Sequence, residues 1–360
     1  MMPAVTALGG MAVVGALVGA GCSEDSTATP KITVTARAGV APTPPAQGAY
    51  FGAWVPPLLG PAYATPTKRP SAKASPSTTG SPEPDELEAK DGMTALTGFE
   101  RDLGRRVDIV QSYLGWKTDF PRKVDTALLE GGDRTMLLTW SGTDTREIVT
   151  GKHDALIRER ARAIKNTGKP IFLRWQRDMD KTSLRTKVHS PEAFIAAWKH
   201  LRTIFKREKV DNVAWVWCPT ARGFTSRGAQ PFYPGDDQVD WICVDAQPGG
   251  DFEYRDMSET LKIFMEWVRE HPKPVMVAEF GVPQSYGTRR AEWLRKAAQT
   301  LQNPQIKAVV YFNSNEQAQE QRDRRRKYEV TGDRAAVSAL REFATTPYFN
   351  PRNLPVTSGG

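Results

Sequence analysis

Histidine and cysteine are scarce in this chain of 360 residues, which has four histidines and three cysteines. His153, His189, His200 and His271 are widely spaced, and none has cysteine partners at the spacing of metal ligands, which argues against a zinc site. No glycine-rich turn follows an early strand pattern, which argues against a nucleotide-binding open sheet. We therefore expect no metal ion and no other cofactor.

Basic residues are absent before Lys31, and the stretch from Ala4 to Gly21 carries no charge at all before it meets Cys22. An uncharged stretch that ends at a cysteine resembles a bacterial lipoprotein signal, whose cysteine becomes the lipidated first residue. A plain cleaved signal and a membrane-spanning helix are the alternatives, although five glycines in the stretch disfavour a stable helix. We expect residues 1–22 to direct export, with Cys22 either anchoring the protein to a membrane or removed on secretion.

Acidic residues are outnumbered by basic ones, which gives a formal net charge of +8. Such a balance favours acidic partners, but the densest basic run, from Arg322 to Lys327, lies on one predicted loop and accompanies no nucleic-acid motif. We therefore expect no nucleic-acid binding. With 39% hydrophobic residues and ten tryptophans the chain can build one large core, and we expect a monomer.

Two tracts have too little apolar surface to offset the entropy of ordering. Residues 23–47 are rich in Ser, Thr, Ala and Pro and predict a disordered linker that holds the domain off a membrane. Residues 65–92 are similar, but an ordered-looking segment, Ala49 to Val55, precedes them. The second tract therefore predicts an insertion within a domain of residues 48–350, and residues 351–360 form a tail.

Beyond Gly92 short apolar, β-branched runs alternate with amphipathic helical patterns, which is typical of a parallel α/β sheet. Eight such strands close a (β/α)8 barrel, whereas an open doubly wound sheet is the alternative fold. The predicted strands are Tyr50–Val55, Ile109–Tyr113, Thr135–Thr139, Pro170–Arg174, Val213–Trp217, Trp241–Val244, Pro274–Glu279 and Ala308–Phe312.

Two carboxylates follow strands at the barrel end where reactive groups gather. Asp178 comes after the fourth strand, and Glu279 ends the seventh. Hydrolysis of a glycosidic bond needs such a pair, since one carboxyl protonates the leaving oxygen and the other attacks or stabilises the anomeric carbon.

Six motifs in order along the domain resemble those of glycoside hydrolase family 26, whose members are retaining enzymes. They are Tyr50-Phe-Gly-Ala-Trp54, Phe99-Glu-Arg-Asp-Leu-Gly104, Trp215-Val-Trp-Cys-Pro219, Tyr233-Pro-Gly-Asp-Asp-Gln-Val-Asp240, Lys273 to Gly281, and Lys307-Ala-Val-Val-Tyr-Phe-Asn313. The resemblance implies that Glu279 is the nucleophile and that Asp178 stands at the acid/base position. It also implies a mannan-like substrate.

The chain departs from the family pattern at two places. The family has Glu in a His-Glu-Met-Asn run where this sequence reads Arg177-Asp-Met-Asp180, so Asp178 is one methylene shorter, and Asp180 is an alternative acid. The family's Asp-x-Tyr after strand six reads Asp245-Ala-Gln247 here. The hydroxyl that orients the nucleophile therefore has no obvious counterpart, and Tyr254 is a candidate to supply it.

Further residues at strand ends are candidates for binding a sugar, because flat apolar faces suit sugar rings and polar groups can contact hydroxyls. Packing in the barrel, a structural turn around Pro234, and an ion pair between Arg174 and Glu279 are the alternatives for these positions. The predicted substrate-binding residues are Arg174, Trp175, Arg177, Asp180, Trp217, Tyr233, Asp245 and Phe312.

Cys218 and Cys243 lie near the ends of neighbouring predicted strands. They can form a disulfide in an oxidising compartment, but two buried free thiols are the interpretation that the sequence favours.

These observations favour an exported glycoside hydrolase that acts on a cell-surface or extracellular polysaccharide. The alternative is a non-catalytic carbohydrate-binding or envelope-assembly lipoprotein that kept the barrel after losing its acid.

Overall fold

The computed structural model describes, besides Met1, residues 31–57, 84–248, 253–315 and 323–357. Eight parallel strands close a barrel in sequence order, so the predicted (β/α)8 fold is confirmed. Each predicted strand agrees with an observed one to within two residues. The strands are β1 Tyr50–Trp54, β2 Ile109–Leu114, β3 Thr135–Trp140, β4 Ile171–Trp175, β5 Val213–Trp217, β6 Trp241–Asp245, β7 Val275–Phe280 and β8 Ile306–Phe312.

Helices follow the strands and surround the barrel. The long helix after β4 begins where Ser190 caps the backbone N–H of Ala193 and Pro191 occupies the first turn. Within the described residues no helix is both long and apolar enough to cross a membrane. The helices are α1 Pro84–Leu103, α2 Lys123–Glu130, α3 Thr145–Val149, α4 Asp154–Asn166, α5 Arg185–Val188, α6 Pro191–Arg207, α7 Ala221–Thr225, α8 Met257–Val268, α9 Arg290–Thr300 and α10 Arg334–Thr345.

Side chains alternate between the interior of the barrel and the layer between strands and helices, because successive residues of a strand face opposite sides. Phe172, Cys218 and Trp241 belong to one interior cluster, while Trp175 and Trp217 belong to the cluster that packs against the helices. This alternation decides which residues at the strand ends can reach the mouth of the barrel.

Residues 31–47 were expected to belong to a disordered linker, but the structure packs them against the amino-terminal end of the barrel. Thr35 donates a 2.6 Å hydrogen bond to Asp240, and the indole of Trp241 donates to the carbonyl of Pro42. Ala36 packs against the interior cluster. The segment needs no core of its own because it covers the apolar opening that the strands leave at this end.

The second part of the expected insertion at residues 65–92 is helical and not disordered. Residues up to 83 lie outside the described residues, but α1 begins at Pro84 and continues through Gly92. The acidic first turn of α1, with Asp85 and Glu86, favours a helix start. In the expected tail, the backbone N–H of Thr357 donates to the carbonyl of Gly104.

Removal of the amino-terminal segment tests its structural role. A chain lacking residues 2–47 should melt about 5 °C or more below a chain lacking only residues 2–30, because the lost hydrogen bonds and apolar contacts leave Trp241 exposed. Thermal unfolding followed by circular dichroism measures the difference. Equal melting temperatures would show that residues 31–47 do not stabilise the barrel.

Candidate active site

Charged side chains gather at the carboxyl ends of the strands, although they come from distant parts of the sequence. Arg174 lies in β4, Asp245 ends β6 and Glu279 lies in β7. Parallel strands all end at the same rim of a barrel, which is the rim where barrel enzymes carry their active sites. The structure therefore brings together five of the candidate site residues named from the sequence, which are Arg174, Arg177, Asp178, Asp245 and Glu279.

The carboxylate of Glu279 is buried and surrounded by donors. The Tyr113 hydroxyl and the Arg174 guanidinium both donate to Oε1, and Gln111 Nε2 donates to the same oxygen at 3.2 Å. Arg177 Nη1 lies 3.7 Å from Oε2. Burial alone would raise the pKa of Glu279, but the charges of Arg177 and Arg174 outweigh it and lower the pKa to about 2. Glu279 is therefore an ionised carboxylate at neutral pH.

Arg174 holds two carboxylates in place while being fully buried. Its Nη1 donates to Asp245 Oδ1 at 2.8 Å, its Nη2 donates to Glu279, and its Nε donates to Thr139 Oγ1 at 2.9 Å. The ion pair between Arg174 and Glu279, an alternative to catalysis in the sequence analysis, is thus present. It does not compete with a catalytic role, since it fixes the charge and orientation of the carboxylate.

Asp245 differs from Glu279 although both contact Arg174. Burial and the neighbouring charge of Glu279 raise the pKa of Asp245 well above its usual value, and Arg174 offsets only part of that rise. Its Oδ2 is buried and has no hydrogen-bond partner among the described residues. Asp245 therefore takes up a proton more readily than Glu279.

Asp178 faces the same centre from the loop after β4. Arg177 Nη1 and Lys181 Nζ donate to its Oδ2 at 2.7 and 2.6 Å, whereas its Oδ1 is buried with no hydrogen-bond partner among the described residues. Arg177 Nη1 thus contacts both Asp178 Oδ2 and Glu279 Oε2, at 2.7 and 3.7 Å. One guanidinium nitrogen therefore lies between the two carboxylates and holds Asp178 beside Glu279.

Three residues at this site have a strained backbone. Gln176, Asp178 and Glu279 have φ values of 48°, 59° and 48°, a region that residues with a Cβ atom rarely adopt. Such conformations persist where the surrounding structure enforces them, and they are often found at functional sites.

Two predicted sugar-binding tryptophans lie elsewhere. Trp175 is fully buried and stacks on Phe194, and Trp217 is fully buried and donates its indole N–H to the carbonyl of Phe232. Both predictions were wrong because of strand alternation. The inward side chains at these positions are those of Arg174 and Cys218, so the tryptophans point outwards into the helical layer.

Tyr233 and Asp180 also do not line the site as predicted. The ring of Tyr233 packs against Trp217 and against His271, which precedes β7 at the opposite end of the barrel. Asp180 accepts hydrogen bonds from the backbone and hydroxyl of Thr220, at the start of α7. Both oxygens of Asp180 are thus used to hold a loop, and it is not the alternative acid.

Phe312 lies close to the site, in a small aromatic cluster with Trp54, Tyr113 and Tyr328. Because Phe312 is almost fully buried, its contact with a sugar stays a prediction.

The residue that orients Glu279 was missed in the sequence. Tyr254, the suggested candidate, packs against Tyr286 and under the guanidinium of Arg289, whereas Tyr113 donates to Glu279. Burial and the charge of Glu279 raise the pKa of Tyr113 well above its usual value, so it remains a donor. Alternate residues of a strand share a face, and Ile109 faces the interior of the barrel. Counting in steps of two from Ile109 would therefore have placed Gln111 and Tyr113 on the inner face of β2.

Cys218 and Cys243 are joined by a disulfide between β5 and β6, so the favoured interpretation of two free thiols was wrong. Both side chains point into the barrel from neighbouring strands, which brings the two Cα atoms to 4.3 Å. In the described part of the chain these sulfurs and Asp245 form the one group of potential metal ligands, within 4.8 Å of one another. Sulfurs bonded to each other offer no thiolate to a metal.

Comparisons with known proteins give relatives among polysaccharide-degrading enzymes, although no family model matches the chain. The chain is 26% identical over 278 residues to endoglucanase H of Acetivibrio thermocellus, and this alignment covers 72% of this chain and 30% of that protein. It is 27% identical over 149 residues to β-1,3-xylanase TXYA of a Vibrio species, and this alignment covers 40% of this chain and 30% of that protein. The chain thus spans about a third of the length of these curated relatives.

Solved structures share the barrel at low sequence identity. A family 26 β-mannanase from Bacteroides ovatus has a TM-score of 0.56 at 13% identity and covers 84% of this chain and 90% of its own. A β-mannanase from a protist symbiont of the termite Reticulitermes speratus has a TM-score of 0.55 at 14% identity, over 91% of this chain and 99% of its own. The resemblance of this chain to glycoside hydrolase family 26, first indicated by its motifs, is confirmed by these similarities.

Proposed function

We propose that the protein is a retaining glycoside hydrolase with Glu279 as nucleophile and Asp178 as acid/base. The observation that carries the proposal is the environment of Glu279. This carboxylate is buried at the end of β7, ionised by two arginines and oriented by the Tyr113 hydroxyl. A nucleophile needs a fixed, ionised carboxylate, and Glu279 meets both conditions.

The two oxygens of Glu279 take different roles in this mechanism. Oε1 accepts hydrogen bonds from Tyr113, Arg174 and Gln111, while Arg177 is the only charged partner of Oε2 in the part of the chain that the structure describes. Oε2 is therefore the oxygen that bonds to the anomeric carbon as the glycosidic bond breaks. The donors on Oε1 hold the carboxylate in place during attack. They also stabilise the negative charge that returns to Glu279 when water releases the sugar.

Asp178 supplies the proton in this scheme. Its Oδ2 is engaged by two cations, so Oδ1 is the oxygen that carries a proton to the leaving group and later removes one from water. The contact of Arg177 with both carboxylates supports their acting as a pair, and the similarity to family 26 structures supports a retaining reaction.

We propose a β-linked polysaccharide as substrate, because a β-mannanase and a β-1,3-xylanase are among the named relatives. A mannan-like backbone is the finer proposal, supported by the similarity to family 26 structures.

Export would bring the enzyme to such a substrate, and we propose that Cys22 carries a lipid anchor and that the protein acts as a monomer. Cys22 lies outside the described residues, so the support is the uncharged stretch that precedes it. Recovery of the full-length, unlipidated chain from the cytosol would contradict the proposal of export.

A non-catalytic carbohydrate-binding protein is the second candidate function. Asp178 is one methylene shorter than the glutamate of the family, and two salt bridges hold its Oδ2. Both features weaken proton donation, although neither affects Glu279.

Substitution at the two carboxylates distinguishes these functions. Asp178→Ala should lower kcat/KM on polysaccharide by about 10²- to 10⁴-fold and spare kcat/KM on dinitrophenyl β-glycosides, whose leaving group needs no proton. Its kcat on the dinitrophenyl β-glycosides should still fall, because Asp178 also activates the water that releases the sugar. Glu279→Ala should abolish cleavage of both. Rates on a panel of dinitrophenyl β-glycosides and β-glycans measure the effect, with Asp237→Ala, far from the site, as the control.

Retention of wild-type rates by Glu279→Ala would exclude Glu279 as nucleophile. If the folded wild-type protein cleaved no member of either panel, the non-catalytic function would be favoured.

The pH profile tests the electrostatics of the nucleophile. Activity on dinitrophenyl glycosides falls as pH drops through the pKa of Glu279, because only the carboxylate attacks. The wild-type value of about 2 predicts no acid limb above pH 4. Arg177→Gln removes the strongest charge that lowers this pKa, so the acid limb should move up by about 1 pH unit or more.

Profiles of kcat/KM against pH measure this shift, with Arg222→Gln as a control that removes an exposed arginine on α7. An acid limb that stays in place in Arg177→Gln would show that Arg177 does not set the ionisation of Glu279.

A further inference from the structure

The polar groups that solvent meets at the centre of the site are cations. The side chains of Arg177 and Lys181 are 34% and 50% exposed, whereas those of Asp178 and Glu279 are 6% and 2% exposed. A ligand that enters the mouth of the barrel therefore meets an ammonium and a guanidinium group above the buried carboxylates.

A second group of cations lies on the loop after β8. Arg324–Arg326 form a single 3₁₀ turn, and Arg324 donates to the carbonyl of Gln284 on the loop after β7. Tyr328, which follows this turn, packs against Phe312 and belongs to the aromatic cluster that includes Tyr113. Since Tyr113 donates to Glu279, the turn is tied to the nucleophile side of the mouth.

The two groups stand on opposite walls of the mouth. Arg177 and Lys181 follow β4 and Arg324–Arg326 follow β8, and β4 and β8 are four strands apart in a closed barrel of eight. A chain lying across Glu279 from one wall to the other would pass both groups.

Each group exposes more positive than negative charge. Arg177 and Lys181 share Asp178, while Arg325 and Arg326 share Asp323, at 3.1 and 3.8 Å. The carboxylates that pair with these cations are buried or nearly so, and the turn has three arginines beside Asp323, so the charged groups that solvent meets on each wall are mainly cations. Clefts of one charge sign concentrate ligands of the opposite sign.

We infer that the substrate is an acidic polysaccharide, whose carboxylate, sulfate or phosphate groups contact these two cationic walls while Glu279 attacks between them. The inference rests on the proposed function for the cleavage step but not for binding. Arginine and lysine bind such anions through charge-assisted hydrogen bonds, which neutral sugars cannot form.

A nucleic acid would be a different anionic ligand, but the aromatic residues argue against it. Single strands bind on exposed aromatic faces, whereas Trp175 and Trp217 at the strand ends are fully buried.

Matched polysaccharides test the inference. Poly-β-mannuronate, polygalacturonate and hyaluronate are each compared with their carboxyl-reduced forms, which keep the backbone and lose the charge. Binding is measured with the Glu279→Gln variant, to prevent cleavage, and turnover with the wild-type enzyme. At least one polyuronate should bind about 10-fold or more tightly than its reduced form at about 0.01 M salt. The preference should vanish at about 1 M, where the Debye length is about 3 Å.

A double variant locates the charge that matters. Arg324→Gln with Arg326→Gln should weaken binding of that polyuronate by about 3- to 10-fold and leave the reduced form unaffected. The control removes two cations from the last turn of α6, at the other end of the barrel, by Lys206→Gln with Arg207→Gln. The control should bind as tightly as the parent.

Equal binding of acidic and reduced forms would overturn the inference, as would an equal loss in the control or equally tight binding of a DNA strand of matched charge. Measurements of turnover distinguish failure of this inference from failure of the proposed function. Preferred cleavage of the reduced forms would leave a hydrolase and reject the acidic substrate. Charge-dependent binding without cleavage of any form would reject the hydrolase and retain the anionic ligand.

Discussion

The buried guanidinium of Arg174 is the constraint on which the rest of the site depends. A fully buried cation is tolerated only when carboxylates and hydrogen-bond acceptors surround it, and breaking such a pair typically costs about 3–5 kcal/mol. Glu279, Asp245 and Thr139 meet this requirement from three other strands. The same contacts that make Arg174 stable in the barrel orient Glu279 and, together with the charge of Arg177, keep it ionised.

A disulfide inside the barrel lies next to this ion cluster. The disulfide between Cys218 and Cys243 joins β5 to β6, and Arg174 Nη1 lies 3.8 Å from Cys218 Sγ. The carbonyl of Cys218 also accepts the backbone N–H of Asp178 at 3.1 Å. The disulfide thus lies between Arg174, which orients Glu279, and the backbone of Asp178. Asp178 keeps its strained conformation through contacts on both its backbone and its side chain.

Much of this arrangement could be predicted from the sequence. Strand patterns located all eight strands, and polar residues at strand ends identified Glu279, Asp178 and Asp245, because parallel strands share a rim. The tryptophans were misassigned because composition at a strand end does not state which way a side chain points. The direction follows instead from the alternation of side chains along β4, because Trp175 must face the opposite side from Arg174. Residues 31–47 could not be placed, since their order depends on the barrel end they cover and not on any pattern of their own.

The central claim is that Glu279 Oε2 forms a bond with the sugar, and covalent trapping tests it most directly. A dinitrophenyl deoxyfluoroglycoside forms the glycosyl-enzyme quickly and releases it slowly, so the intermediate accumulates. Incubation with the full chain followed by peptide mass spectrometry should locate one sugar on the carboxylate of Glu279, with none on the Glu279→Gln variant. Inactivation with the label on another residue, or turnover of the unfluorinated glycoside with inverted anomeric configuration, would contradict the account.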